Sequence, residues 1–509
     1  MSSLGRLMLA FDGFDLPDDT RRALASGEGA GVTLFRYLNV RSAAQLRGLT
    51  DDIQAHAGEG APFIIGVDQE AGQLMGLGAD ATPFAGNMAL GAVDDPDLTF
   101  RVARAIGREL RAVGVSANYA PVCDLATRPD NPALGVRCFG DDPSRVSAHV
   151  EATVRGLSGA GVAATLKHFP GGGEAAGDPH HLLPVIEASR ERFEQVELVP
   201  FRAGIAAGAA MTMSGHPAVP GLTGDPALPA TLSHHVLTDL LREELGFGGV
   251  TISDALDMGA VTSGGNGVDV ARLLDAGQDL LLLPPDPVAC REIRAAAAAY
   301  RGDSEAALGR IAALRASLRP AESEPSLVGC AEHRALAAEL ASRSMTLVRD
   351  LDGVLPLAPT AGAAVGVLMP QLIDRTPADT SSQETPGLAA ALRRRHDNVR
   401  ELLVEPAPSA ADIAAAREWA RDCELLIIGS VDGALEPAQA ELVRELLATG
   451  VPAVTVALRT PWDLGYYPES RTHVCTYSVL SPSLDALAAS LFGSAPFPGR
   501  LPVAVGFDQ

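Results

Sequence analysis

Residues 165–184, TLKHFPGGGEAAGDPHHLLP, contain the only lysine of the chain, Lys167, although 40 positions carry Lys or Arg. Arginine serves at every other cationic position, so this one calls for a compact ammonium with rotatable donors rather than a planar fork. An isolated lysine is ordinarily a solvated surface charge. Here it follows the apolar run VAATL and precedes His168, which makes Lys167 and His168 candidate donors to a ligand. The loop that follows could be a plain surface loop, but loops of this length in compact domains tend to bind or cover something. Within it Asp178 and His180 are two positions apart, close enough for the carboxylate to fix the tautomer of the imidazole and make a general acid/base near neutral pH. A metal reading of His168, Asp178, His180, His181 and His216 competes, but no HxxH or HExxH spacing places two ligands on one rigid element. In GVTISDALDM (249–258), Asp254 suits either a helix N-cap or a nucleophile at a strand end, and one residue can serve as both.

These residues are spread along the chain, so tertiary elements must gather them. From residue 30 to about 285, runs of strand length alternate with amphipathic helical stretches: GVTLF, PFIIGVD, VGVSANYAPV, GVAATLKH, AAMTMSGH, GVTISD and DLLLLP. Most are apolar throughout, the signature of parallel strands covered on both faces. Four of them stop at Asp68, Lys167 with His168, His216, and Asp254. In a parallel α/β barrel the strand C-termini share one face, and that face carries the chemistry. The expected architecture is a TIM-type (β/α)8 barrel over residues 1–318 and a Pro/Ser/Glu-rich linker over 319–335. A C-terminal αβα sandwich with an open, doubly wound sheet is expected over 336–509.

Composition narrows the partners. A formal charge of −23 opposes nucleic acid and anionic membranes, while an anionic small ligand would need a local cluster of cations. The N-terminal sequence has no apolar core of signal-peptide length and no stretch approaches a membrane span, so a cytoplasmic location is expected. Six scattered cysteines without a CxxC pair fit free thiols. No GxGxxG or GxxxxGK[ST] opens a helix, and no cofactor or metal is expected.

KHFPGGGEAAGDPHHLLP resembles the KHFPGHG…DSH…LP signature of glycoside hydrolase family 3, in its β-N-acetylhexosaminidase branch. GVDQEAG, GVRCFGDDP, AAMTMSGHP, PATLS and ELGFGGVTISDALDM are similar to other blocks of that branch, in the same order. SRSMTLVRD, LRTPWDLGYYP and LFGSAPFPGRLPV are similar to the second domain of its two-domain members. The resemblance implies Asp254 as nucleophile, His180 as acid/base and Asp178 as its partner. Asp68, Arg137, Lys167 and His168 would hold the sugar, with His216 at the same face. There are departures: Gln73 and Gly76 stand where the family has arginines, Gly172 replaces a histidine and Pro179 a serine.

The activity implied is that of a retaining exo-β-N-acetylglucosaminidase acting on saccharides or muropeptides from cell-wall turnover. Two alternatives accompany it. A histidine acting as base carries no negative charge and would not repel phosphate from the intermediate, so a β-glycoside phosphorylase is one. The lost arginines motivate the other, a catalytically idle sugar-binding protein.

Overall fold

The computed structural model describes residues 3–57, 60–177, 181–262, 267–319 and 324–506. Eight parallel strands form the first sheet: β1 (Leu7–Leu9), β2 (Gly31–Leu34), β3 (Ile64–Val67), β4 (Ala117–Asn118), β5 (Ala163–Phe169), β6 (Met211–Ser214), β7 (Val250–Ser253) and β8 (Leu281–Leu282). They follow one another in the order β8-β1-β2-β3-β4-β5-β6-β7. A parallel bridge between Ile252 and Leu280 joins β7 to the approach of β8 and closes the barrel. Apart from His168, which is partly exposed, every residue of these strands is buried, which is why they read as unbroken apolar runs.

The outer helices start where local chemistry dictates. Asp95, Asp142 and Asp286 each accept two backbone N–H bonds as N-caps, and each is followed by Pro at the first helical position. Two expectations needed correction at the strands. Leu7–Leu9 is a barrel strand that no turn signal flags, and the run 113–122 contributes the short strand Ala117–Asn118 and a single bridge from Val122 to Lys167.

The second sheet comprises β9 (Thr346–Asp350), β10 (Val365–Pro370), β11 (Val399–Val404), β12 (Leu425–Ser430), β13 (Ala453–Ala457) and β14 (Thr472–Cys475). Its order is β9-β14-β13-β12-β10-β11, parallel except for β9, which runs antiparallel to β14. Helices cover both faces, and separate apolar clusters lie on either side.

The two units are joined by buried polar contacts. Glu109, on the helix Pro96–Ala112, accepts bonds from the Thr82 N–H (3.1 Å) and the Gly329 N–H (3.1 Å), and lies 2.7 Å from Nδ1 of His333. The chain end returns to the barrel, where Arg500 N donates to the Ala92 carbonyl and Asp141 N to that of Pro502.

Candidate active site

Strand C-termini of the barrel open into a cavity of about 370 Å³ lined by Asp68, Arg137, Lys167, His168, His216 and Asp254. Six of the eight residues singled out in the sequence therefore meet in one place. Asp178 and His180 lie outside the described residues.

At its floor is a buried charge cluster. The Lys167 ammonium lies 2.5 Å from Asp68 Oδ1 and 2.5 Å from Glu70 Oε1, and Arg137 forms a two-pronged contact of 2.8 Å on each arm with Glu70. Lys167 and Glu70 are each 1% exposed at the side chain, and Arg137 4%. Burial alone would raise the Glu70 pKa, but Arg137 and Lys167 together hold it down to about 2. Burial would likewise lower that of Lys167, and Asp68 and Glu70 reverse the direction. Glu70 thus fixes two cations side by side, with Asp68, 26% exposed, at the cavity wall. Sequence reasoning named the cations and missed the anion between them, although Glu70 sits in the same GVDQEAG block as Asp68.

Asp124 plays the corresponding part for His168. It is fully buried and accepts from Nδ1 of His168 (2.7 Å), the His168 N–H (3.1 Å) and the Gly172 N–H (2.6 Å). With Nδ1 held by a carboxylate, Nε2 is the ring nitrogen left for a ligand. His216 is buried beneath the wall with Nε2 3.1 Å from the Ala255 carbonyl, so that nitrogen carries the proton. Asp254 follows β7 directly. Its N–H donates to the Ser214 carbonyl (3.0 Å) and its Oδ1 accepts from Ala255 N (2.8 Å), which sets the carboxylate at the cavity edge.

The loop after β5 is anchored at its root. At Gly171 (φ 119°) a Cβ would meet Glu197 Cβ at 3.0 Å, so only glycine suits the position. At Gly172 the nearest atom to a Cβ would be Asp124 Oδ1 at 3.4 Å, an ordinary contact, so the family's histidine is absent without being sterically barred. Beneath the loop, Glu197 is buried with neither carboxylate oxygen accepting a hydrogen bond from the described residues. Burial pushes it up to about 7, against the pull of Arg192, and Arg192 in turn pairs with Glu174 of the loop at 2.5 Å.

The missing arginines have a structural account. A Cβ at Gly76 would lie 2.4 Å from Val67 Cγ2 and 2.6 Å from the Asp68 carbonyl, so this backbone admits no side chain there. Gln73 instead seats the second unit: its carbonyl accepts from Thr380 N (2.8 Å) and Oγ1 (2.9 Å), and its Nε2 donates to the Ala378 carbonyl (3.3 Å). Pro377, Ala378 and Thr380 thereby become part of the cavity wall. Arg36, which also lines the cavity, donates to Thr380 Oγ1 (3.1 Å) and contacts Glu384 (3.3 Å), so a cation reaches this wall from β2 instead of from the hairpin after β3. The segment itself is held from behind by buried Arg459, which bonds Asp379 at 2.9 Å and Asp432 at 3.1 Å. Among the described residues no group of His, Cys, Asp and Glu side chains has the arrangement to hold a metal ion.

The model of the Glycosyl hydrolase family 3 N terminal domain matches residues 7–310. The chain is 30% identical over 558 aligned positions to Beta-hexosaminidase A of Pseudoalteromonas piscicida, covering 96% of this chain and 91% of that one. It is 31% identical over 489 positions to a Beta-N-acetylglucosaminidase/beta-glucosidase of Cellulomonas fimi, covering 87% and 83%. Among solved structures, a glycoside hydrolase family 3 beta-N-acetylglucosaminidase from Paenibacillus sp. str. FPU-7 matches with a TM-score of 0.92 at 32% identity, covering 99% of this chain and 98% of that one. With the family model spanning the barrel and relatives aligned across both units, the chain belongs to glycosyl hydrolase family 3, and the motif resemblance is one of descent.

Proposed function

We propose that the chain is a retaining exo-β-N-acetylglucosaminidase that removes terminal β-GlcNAc from cell-wall-derived saccharides. The observation that carries the reading is the single cavity in which Asp254 faces a sugar-sized space floored by Asp68, Arg137, Lys167 and His168. The names of the full-length relatives support the substrate class. In the first step a carboxylate oxygen of Asp254 bonds to the anomeric carbon as the glycosidic C–O bond breaks. His180, oriented by Asp178, gives its proton to the leaving oxygen. In the second step the neutral imidazole takes a proton from water, which displaces Asp254 and regenerates both groups. In this reading Asp68 and the Lys167 ammonium bond sugar hydroxyls, and His168 joins them through Nε2. Free thiols at all six cysteines fit a reducing compartment.

A second reading follows from the acid/base assigned here to His180: an imidazole acting as base adds no negative charge to the site, so phosphate could replace water as acceptor. The test is to incubate para-nitrophenyl β-N-acetylglucosaminide with wild type and His180→Ala, with and without millimolar phosphate. The wild type is expected to release nitrophenol and free GlcNAc. The variant should lose about 10²–10⁴-fold on methyl β-N-acetylglucosaminide and far less on the nitrophenyl glycoside, whose leaving group departs without a proton. Sugar 1-phosphate as the main product would favour the phosphorylase. No turnover of any β-hexosaminide, with sugar still bound, would favour an idle binding protein.

A further inference from the structure

Among the described residues, three Lys or Arg side chains line the catalytic cavity, Arg36, Arg137 and Lys167, and they differ in how far their donors are used. Arg137 is saturated: Nε and Nη2 each bond Glu70 at 2.8 Å, and Nη1 bonds the Ala133 carbonyl at 2.6 Å. Lys167 lies 2.5 Å from each of two carboxylates. Arg36 has only single, longer contacts, 3.1 Å to the Thr380 hydroxyl and 3.3 Å to one oxygen of Glu384, and its Nε–H has no partner among the described residues. Its side chain is nonetheless 8% exposed, against 29% for Glu384. A guanidinium carries five N–H donors in a planar fork, and here most of them are unspent beside a cavity.

Arg36 opens the turn Arg36–Asn39, which leaves β2 on the catalytic face. Asn39 fixes that turn by donating to the Phe11 and Gly13 carbonyls (3.0 Å each) and accepting from Phe35 N (2.9 Å). The next residue, Tyr37, is 55% exposed, which puts the turn at the cavity mouth, whereas Lys167 and Glu70 are buried at the floor. An exo-acting enzyme seats the terminal sugar at the nucleophile and leaves the second sugar toward the mouth. In a cell-wall disaccharide that second sugar is N-acetylmuramic acid, whose lactyl ether ends in a carboxylate. Asp68, Asp254 and Asp257 line the same cavity, so no general positive field draws an anion in. Such a carboxylate needs a dedicated partner, and the planar fork of a guanidinium is the donor set that matches it.

We propose that Arg36 is a specificity-determining residue that receives the lactyl carboxylate of a muramyl second sugar, with Glu384 competing for the same guanidinium. The inference rests on the β-N-acetylglucosaminidase reading and deepens it, since it ranks a free muramyl acid above the same disaccharide with its lactyl group amidated.

The experiment compares kcat/KM of wild type, Arg36→Met and Glu384→Gln on GlcNAc-β-1,4-MurNAc, on its lactyl amide and on methyl β-N-acetylglucosaminide. The acid and the amide differ only in the charge, so their ratio isolates the contact. Wild type is expected to prefer the acid by about tenfold. In Arg36→Met the ratio should fall to within about twofold of one, and in Glu384→Gln, which frees the guanidinium, it should rise about threefold. If Arg36 served only to tie the second unit to the barrel, both variants would change all three substrates by one factor and leave the ratio as in wild type, which would overturn the proposal. Should Arg36→Met be inert on the methyl glycoside too, Glu384→Gln decides alone: a raised ratio supports the proposal, and an unchanged or lowered one overturns it. A wild type inert on all three substrates would instead overturn the hydrolase reading and the role of Arg36 with it.

Discussion

Replacing Asp254 by alanine is expected to lower kcat on para-nitrophenyl β-N-acetylglucosaminide by about 10⁴-fold or more, while GlcNAc binding by calorimetry stays within about threefold of wild type. The nucleophile is the group for which the reaction has no substitute, because without it no covalent intermediate forms. The fold should tolerate the change. Asp254 sits after β7 at the cavity edge, and its backbone bond to Ser214 does not depend on the side chain. Its carboxylate accepts a local bond from Ala255 N. A kcat within tenfold of wild type would remove Asp254 from the mechanism.

The second large effect falls on stability. Glu70→Ala would leave Lys167 and Arg137 buried beside one another without the carboxylate that both contact, and loss of one partner from such a cluster costs about 3–5 kcal/mol. Denaturant unfolding should register this, and KM for the glycoside should rise because the cations proposed to face the sugar lose their anchor. The same carboxylate gives a pH signature. Its pKa is depressed from 4.5 unfolded to about 2 folded, so its stabilisation is complete above pH 4.5 and drains away as pH falls from there toward 2. The contribution is on the order of 3 kcal/mol. Glu70→Gln should flatten the acid limb of the stability profile in that window. An unchanged acid limb, or an Ala variant as stable as wild type, would contradict the clustered-charge account.

What was legible in the sequence follows from what is local. Parallel strands buried on both faces leave apolar runs, so β2, β3, β5, β6 and β7 stand out, and the polar residues that end the last four of these runs mark the chemical face. Leu7–Leu9 is too short to carry a pattern of its own. In the run 113–122 Pro121 has no N–H for a ladder, so the regular strand stops short and pairing resumes as the single bridge from Val122 to Lys167. The antiparallel β9 has the composition of a parallel strand, and only its partner β14 decides its direction.

Site residues divide along the same line. Lys167, His168 and Asp254 announce themselves by type and position. Glu70 and Asp124 matter through partners 67 and 44 positions away, and nothing in their neighbourhoods gives those distances. Gly76 reads as a lost arginine, whereas in space it is a backbone packed against Val67 and Asp68. Arg36 meets Thr380 across 344 positions, a contact that exists only because Gln73 seats the second unit on the barrel. The packing of Pro377, Ala378 and Thr380 against the cavity makes the second unit part of its rim.

The most direct test of the account is to trap the intermediate. Wild type would be incubated with 5-fluoro-β-N-acetylglucosaminyl fluoride, whose ring fluorine slows both displacement steps while the fluoride leaving group lets the first proceed. The protein would then be digested and its peptides weighed and sequenced by mass spectrometry. The account predicts a peptide carrying one fluorosugar on Asp254, absent from Asp254→Ala. A fluorosugar on another residue, or turnover of the reagent with no covalent adduct at any time, would contradict it.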